Sequence, residues 1–177
     1  MQTNSKNTSS SFKVVYKTII QSIGILVVIF ATFFTQISYA QDGPKTPQAD
    51  LYHAYLDIKN ALVAGDAVAT SLKAEQFVKA ALAMDPKLRP EGTRNALLKH
   101  AGLMLASKDI KHQREDFQPL SANMYLVAKS MKLSSDPIYY TYCPMRKAYW
   151  LSNEAAIKNP YYGNSMLTCG QVKETIK

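Results

Sequence analysis

The chain has 177 residues and two cysteines, with 21 Lys and Arg against 13 Asp and Glu. That length suits one domain of ordinary size with a hydrophobic core. The lysines are scattered, with no run and no interleaved aromatic stripe, which argues against nucleic acid as a partner and for a well-solvated basic surface.

Residues 1–40 carry Lys6, Lys13 and Lys17 and no acid, then an apolar stretch from Ile19 to Phe34, then Ser38-Tyr39-Ala40. A basic start, an apolar middle and small residues before a cut are the parts of a secretory signal peptide. The apolar stretch is 16 residues, against roughly 20 needed to span a bilayer. Cleavage after Ala40 is the expectation, which places the mature chain 41–177 in the periplasm. The alternative is an uncleaved anchor, the sole membrane contact expected. No cysteine follows the apolar stretch closely, so a bacterial lipid anchor is not expected. N-terminal sequencing of protein from the envelope fraction should begin at Gln41; intact Met1 in the membrane pellet would favour the anchor.

Residues 41–50, QDGPKTPQAD, read as a flexible leader, and 51–133 as a helical bundle. Leu51, Tyr55, Ile58 and Leu62 fall on one helix face. Gly65 can close that helix in a left-handed conformation and Asp66 can cap the next. The second helix, about 67–84, presents Ala74, Val78, Ala81 and Leu82 and ends at Asp85-Pro86. Pro90 and Glu91 suit the first turn of a third helix, with Leu97, Ala101, Met104 and Leu105 on its apolar side. Asp109 can cap a fourth, in which Ile110, Gln113, Phe117, Leu120, Met124, Val127 and Met131 keep a three-four alternation. Pro119 lies inside that pattern and should kink or split the helix. Four amphipathic helices with short joints predict a mainly α fold, an up-and-down antiparallel four-helix bundle. Leu62, Leu97, Leu120 and Val127 should be buried.

The composition changes at Ser134-Ser135-Asp136-Pro137, and 134–177 reads as a tail packed on the bundle. IYYTYC (138–143) and AYWLS (148–152) favour β structure, and Pro144–Lys147 between them a turn. NPYYGN (159–164) is a second turn cluster, and the last residues suit a short helix. Two sulfur pairs lie in this tail. Cys143 and Met145 are two apart, so in an extended backbone they point to one side. Met166 precedes Cys169 by three, which can bring both sulfurs together around a turn. Thiolate and thioether are soft ligands that favour Cu(I), with Ag(I) as its substitute. A Cys143, Met145, Met166, Cys169 site suits such an ion better than zinc, which prefers thiolate and imidazole. The other reading is a structural Cys143–Cys169 disulfide in an exported protein, of the kind that contributes about 2–4 kcal/mol. Both require the two sulfur pairs to meet.

YCPM, AYWLS and IKNPYYGNSMLTCGQVKETI together resemble the C-terminal signature of a bacterial domain family of unknown function. YLDIKNALVAGD and DIKHQREDFQPLS are similar to that family's helical part, so the resemblance spans roughly residues 50–177. The family occurs alone behind signal peptides and at the C-terminus of periplasmic adaptor subunits of copper/silver efflux pumps. The resemblance implies a compartment and a copper context, with an efflux complex as a partner, and no reaction. Tyr142, Cys143, Pro144 and Met145 also resemble the short motif YTCPMH of copper-transport proteins, but Arg146 stands where that motif has its histidine.

No enzyme is expected. The chain has no G-x-S-x-G, no Gly-rich phosphate loop, no H-E-x-x-H and no C-x-x-C. Glu115 and Asp116 are adjacent, which on a helix points them apart. His100 lies near an apolar face and reads as a packing residue, His112 as solvated, and Trp150 as packing beside the sulfurs. The tail tyrosines read as a cover for the end of the bundle. The function expected is soft-metal binding as a chaperone, buffer or efflux accessory; the alternative is a non-metal interaction module docked on an envelope complex.

Overall fold

The computed structural model describes residues 46–85 and 92–177. The export segment 1–40 and the turn residues Pro86, Pro90 and Glu91 lie outside the described residues. Helix α1 runs Pro47–Ala64, α2 Ala67–Ala83, α3 Thr93–Ala106 and α4 Ile110–Ser130. Each packs on the next in the chain, as an up-and-down bundle requires. Among the described residues, no helix is long and apolar enough to cross a membrane.

Local chemistry explains most of the helix ends. Thr46 accepts from the Ala49 N–H at 3.2 Å, and Pro47 follows at the first helical position, where its fixed φ costs nothing. Pro47–Asp50, expected in the leader, are therefore the first turn of α1. Gly65 closes α1 at φ 75°, and Asp66 caps α2 by accepting from the Ala69 N–H at 2.8 Å. Asp109 caps α4 through the Lys111 N–H at 2.8 Å. Helix α4 is continuous across Pro119 rather than split there.

Leu62, Leu97, Leu120 and Val127 are all buried, as expected. Two helix faces differ from the periodic reading. In α2, Ala74 and Ala81 are buried, but Leu82 is 52% exposed and Phe77 and Thr70 take the inner positions. In α3, Leu105 is 39% exposed, one residue past the buried Met104. Helical geometry turns a residue about 100° from its neighbour, so a narrow buried stripe leaves an apolar flank outside. Gln113 is buried among α2, α3 and α4. Its side-chain amide lies within 3.2 Å of the Ala67, Met104 and Ser107 carbonyls and the Ser71 hydroxyl.

Lys59 is fully buried on α1, and its Nζ has no hydrogen-bond partner among the described residues. Burial pushes its pKa down, against the pull of Glu154. A lysine with a lowered folded pKa binds fewer protons when folded, so stability rises with pH through the window below its ordinary value. Lys59→Met should therefore stabilise the fold by about 1–3 kcal/mol at neutral pH and flatten that rise. Urea unfolding of both proteins from pH 7 to 10 measures it; an unchanged midpoint at pH 7 would count against a buried, unpaired ammonium.

The tail is a three-stranded antiparallel sheet in the order β2-β1-β3, with β1 Ile138–Cys143, β2 Ala148–Ser152 and β3 Gln171–Ile176. The hairpin of β1 and β2 matches expectation. The last residues form β3 instead of the expected short helix. The β-branched Val172, Thr175 and Ile176 tolerate a strand, and β1 offers them its second edge. The free edge of β2 is closed by the bundle and the tail. The Leu151 N–H donates to the Tyr55 hydroxyl at 2.9 Å, and the Tyr161 hydroxyl donates to the Tyr149 carbonyl at 2.5 Å.

Candidate functional site

The two cysteines meet. Cys143 is the last residue of β1, where it pairs with Ala148, so it begins the turn that joins the hairpin. Cys169 precedes β3, and its N–H donates to the Met166 carbonyl at 3.0 Å, which closes the short loop that carries it. Because β3 lies beside β1, the segment leading into β3 comes beside the end of β1. The two Sγ atoms are 4.0 Å apart, and both thiols are free. Cys143 is buried and Cys169 half-buried, so one sulfur faces the protein and the other reaches the surface.

Asn159 holds this pair. It is fully buried. Its Nδ2 donates to the Cys143 sulfur at 3.2 Å and to the Cys169 carbonyl at 2.6 Å. Its Oδ1 accepts from the Tyr161 N–H at 2.8 Å, and its own N–H donates to the Leu167 carbonyl at 2.8 Å. The side chain is thus fixed at both ends, and one amide positions both cysteine segments. The Arg146 N–H donates to the Cys143 sulfur at 3.4 Å. By its composition NPYYGN reads only as a turn. An amide-bearing residue between two cysteines was the available signal, but its partners are 16 and 10 residues away in the chain.

Burial and the neighbouring Cys143 thiol push the Cys169 pKa up, while a hydrogen bond from the Met145 backbone pulls the other way. The methionines stand differently from the cysteines. Met145 is 61% exposed on the hairpin turn, and Met166 is half-buried beyond the Gly163–Ser165 3₁₀ turn. Both touch the Cys169 segment through their backbones. Trp150 is buried against this corner: it packs edge-on to Tyr161 at 6.1 Å, and a Cβ on Gly170 would come within 2.7 Å of its ring.

The histidines lie elsewhere in the fold. His100 Nδ1 is 3.1 Å from Asp116 Oδ1 between α3 and α4, and exposed His112 lies 3.4 Å from Asp109. Among the described residues, no group of three or more His, Cys, Asp or Glu is placed to hold a metal. The tyrosines form a stack: Tyr125 of α4 lies 4.0 Å from Tyr140, which lies 4.6 Å from Tyr149. Tyr125 and Lys129 both bond Glu174 of β3, at 2.8 and 2.6 Å. These contacts fasten one face of the sheet to α4.

No curated protein and no solved structure matches the chain. Residues 51–136 match the model of a family described as protein of unknown function (DUF3347), a stretch that takes in the helices from the second turn of α1 onward and ends just before β1, so that both cysteines lie beyond the matched residues.

Proposed function

We propose that this is a periplasmic soft-metal protein that binds Cu(I), or Ag(I) in its place, as a chaperone, buffer or accessory to a copper/silver efflux complex. The observation that carries this reading is the pair of free thiols 4.0 Å apart. Taking a metal–thiolate distance of about 2.3 Å as the scale, sulfurs 4.0 Å apart subtend an angle of about 120° at a shared ion. That angle suits a low-coordinate soft cation and leaves room for a third ligand, for which the thioethers of Met145 and Met166 are the nearest soft candidates in the sequence. Copper is cargo here, and no reaction is part of the reading.

The same proximity favours a second reading, a disulfide-tied interaction module. A disulfide needs the sulfurs at about 2.05 Å, so closure from 4.0 Å requires side-chain movement. The methionines separate the two readings. Reduced wild type and a Met145→Leu/Met166→Leu double variant are compared by Cu(I) competition against a chromophoric chelator. The substitutions roughly conserve volume, so stability should change little. A Cys2Met2 site should lose about tenfold or more in affinity, which is 1.4 kcal/mol or more of binding. Equal affinity would leave a dithiolate. No binding by reduced wild type would remove the metal reading and leave the interaction module.

A further inference from the structure

Asn159 reaches both cysteine segments through one side-chain amide, and its bonds fix which way that amide points. Its Oδ1 accepts from the Tyr161 N–H at 2.8 Å, and its Nδ2 donates to the Cys169 carbonyl at 2.6 Å. Exchanging the two ends would set donor against donor and acceptor against acceptor. The second Nδ2 hydrogen is left for the Cys143 sulfur, 3.2 Å away. Asn159 and Cys143 are both fully buried. An amide hydrogen in such a place is costly to leave without its acceptor.

Closure of the pair acts against this bond. The oxidant is the disulfide of a small thiol or of a protein. Two S–H bonds and the oxidant's S–S bond break, one S–S bond forms between Cys143 and Cys169, and the oxidant leaves as two thiols that carry both hydrogens. The sulfurs must close from 4.0 Å. A Cys143 sulfur drawn toward Cys169 moves off the amide. A thiolate or metal-bound sulfur, which carries negative charge, also accepts an N–H more strongly than the neutral sulfur of a disulfide. We infer that Asn159 is a positioning residue that holds the Cys143–Cys169 pair open, as a dithiol, against closure to a disulfide. The inference stands apart from the soft-metal reading, and adds to it that the form able to take an ion is the form the fold favours. The rival role is a clamp, which would hold the cysteines together and promote closure. Backbone bonds that outlast the side chain already bring the segments together. Tyr142 pairs with Gln171 across β1 and β3, the Asn159 N–H donates to the Leu167 carbonyl at 2.8 Å, and the Cys169 N–H donates to the Met166 carbonyl at 3.0 Å. The side-chain amide is therefore not needed for proximity.

The two roles predict opposite signs for one measurement. Purified, metal-free protein is equilibrated in graded mixtures of glutathione and glutathione disulfide, quenched with acid and alkylated, and the oxidised fraction is read by mass spectrometry. The proteins are wild type, Asn159→Ala, Asn159→Asp and Asn164→Ala, each with its thermal melt. Asn159→Ala should raise the equilibrium constant for closure about tenfold, the scale of one buried donor left unpaired, which is a potential about 30 mV more negative. Asn159→Asp keeps the shape and the acceptor for the Tyr161 N–H but offers no N–H to the sulfur, and should shift the potential the same way. If Asn159→Ala melts below the assay temperature, Asn159→Asp carries the comparison alone. Asn164→Ala, exposed in the same turn, should leave the potential unchanged. An unchanged or less negative potential in a folded Asn159 variant makes the residue a clamp and overturns the inference. So does a wild-type pair that is oxidised at every glutathione ratio, or an Asn164→Ala shift equal to that of Asn159→Ala. Cu(I) affinity of the reduced proteins is measured separately. Failure of wild type to bind Cu(I) removes the soft-metal reading and leaves the redox result standing, and the reverse holds as well.

Discussion

Phe117→Ala is expected to cost about 3–5 kcal/mol, the usual range for an aromatic core truncation. The ring is fully buried at the point where bundle and tail share a core. It stacks on Tyr55 of α1 at 5.3 Å and packs against Tyr161 of the tail at 5.8 Å. Tyr55 bonds Ser121 of α4 and receives the Leu151 N–H of β2, and Tyr161 bonds the Tyr149 carbonyl. Removing the ring therefore leaves a cavity and frees two tyrosines whose hydroxyls close the edge of β2. The loss should exceed that of Leu120→Ala, which removes less volume from the same helix. Leu82→Ala, on the exposed side of α2, should stay within about 0.5 kcal/mol of wild type. Urea unfolding of the three variants ranks them. A loss under about 1 kcal/mol at Phe117 would place the shared core elsewhere.

The helical part was largely legible because its signals are local. A glycine before an aspartate and an aspartate before Ile110 mark helix ends within a few residues of themselves, and each cap is made in the structure; Thr46 before Pro47 is a signal of the same kind, but it lies in a stretch that reads as leader. The inner face of α4 was read correctly even at Gln113, since periodicity does not depend on polarity. Periodicity was weaker in α2, where alanines on several sides leave the buried stripe undetermined until a neighbour packs on one of them. The pattern therefore points Leu82 inward and leaves Phe77 out, the reverse of their burial. The tail was legible as far as its hairpin, because the turn lies between its strands. Strand β3 was not, because Gln171–Ile176 pairs with residues more than 25 positions earlier, and local composition alone leaves such a segment free to be a short helix. The meeting of Cys143 and Cys169 follows from that long-range pairing. So does Asn159, whose role exists only once both cysteine segments pass it. Pro119 shows the converse: a strong local signal for a break was overridden, since a helix that packs along its length against α3 and β2 tolerates one missing donor.

Gly163→Ala is the second large effect, expected at about 2–4 kcal/mol because it combines backbone strain with a steric clash. Gly163 has φ +55°, and a Cβ there would lie 2.7 Å from an Arg114 nitrogen and 2.8 Å from the Val63 carbonyl oxygen. The arginine could move, but the carbonyl belongs to the last turn of α1 and cannot. Arg114 is itself committed: it donates to the Leu62 carbonyl and to the Pro160 carbonyl, each at 3.0 Å, so one guanidinium joins the end of α1 to the tail loop. Relief of the clash must therefore push the 159–165 turn off the bundle. Gly163 N–H bonds the Asn159 carbonyl at 2.9 Å, so the displacement carries Asn159 away from the Cys143 sulfur. Stability and thiol chemistry should change together. In Gly163→Ala, Cys143 should react with a thiol reagent at rates well above wild type, where it is buried, while the helical signal is largely kept. Gly102→Ala is the control. It lies within α3 with no atom inside 4 Å of an added Cβ, and should stabilise by about 0.5–1 kcal/mol through helix propensity alone. If Gly163→Ala unfolds at the wild-type urea midpoint with Cys143 still protected, the bundle does not hold the thiol site through this turn, and the contact of Arg114 with Pro160 is incidental.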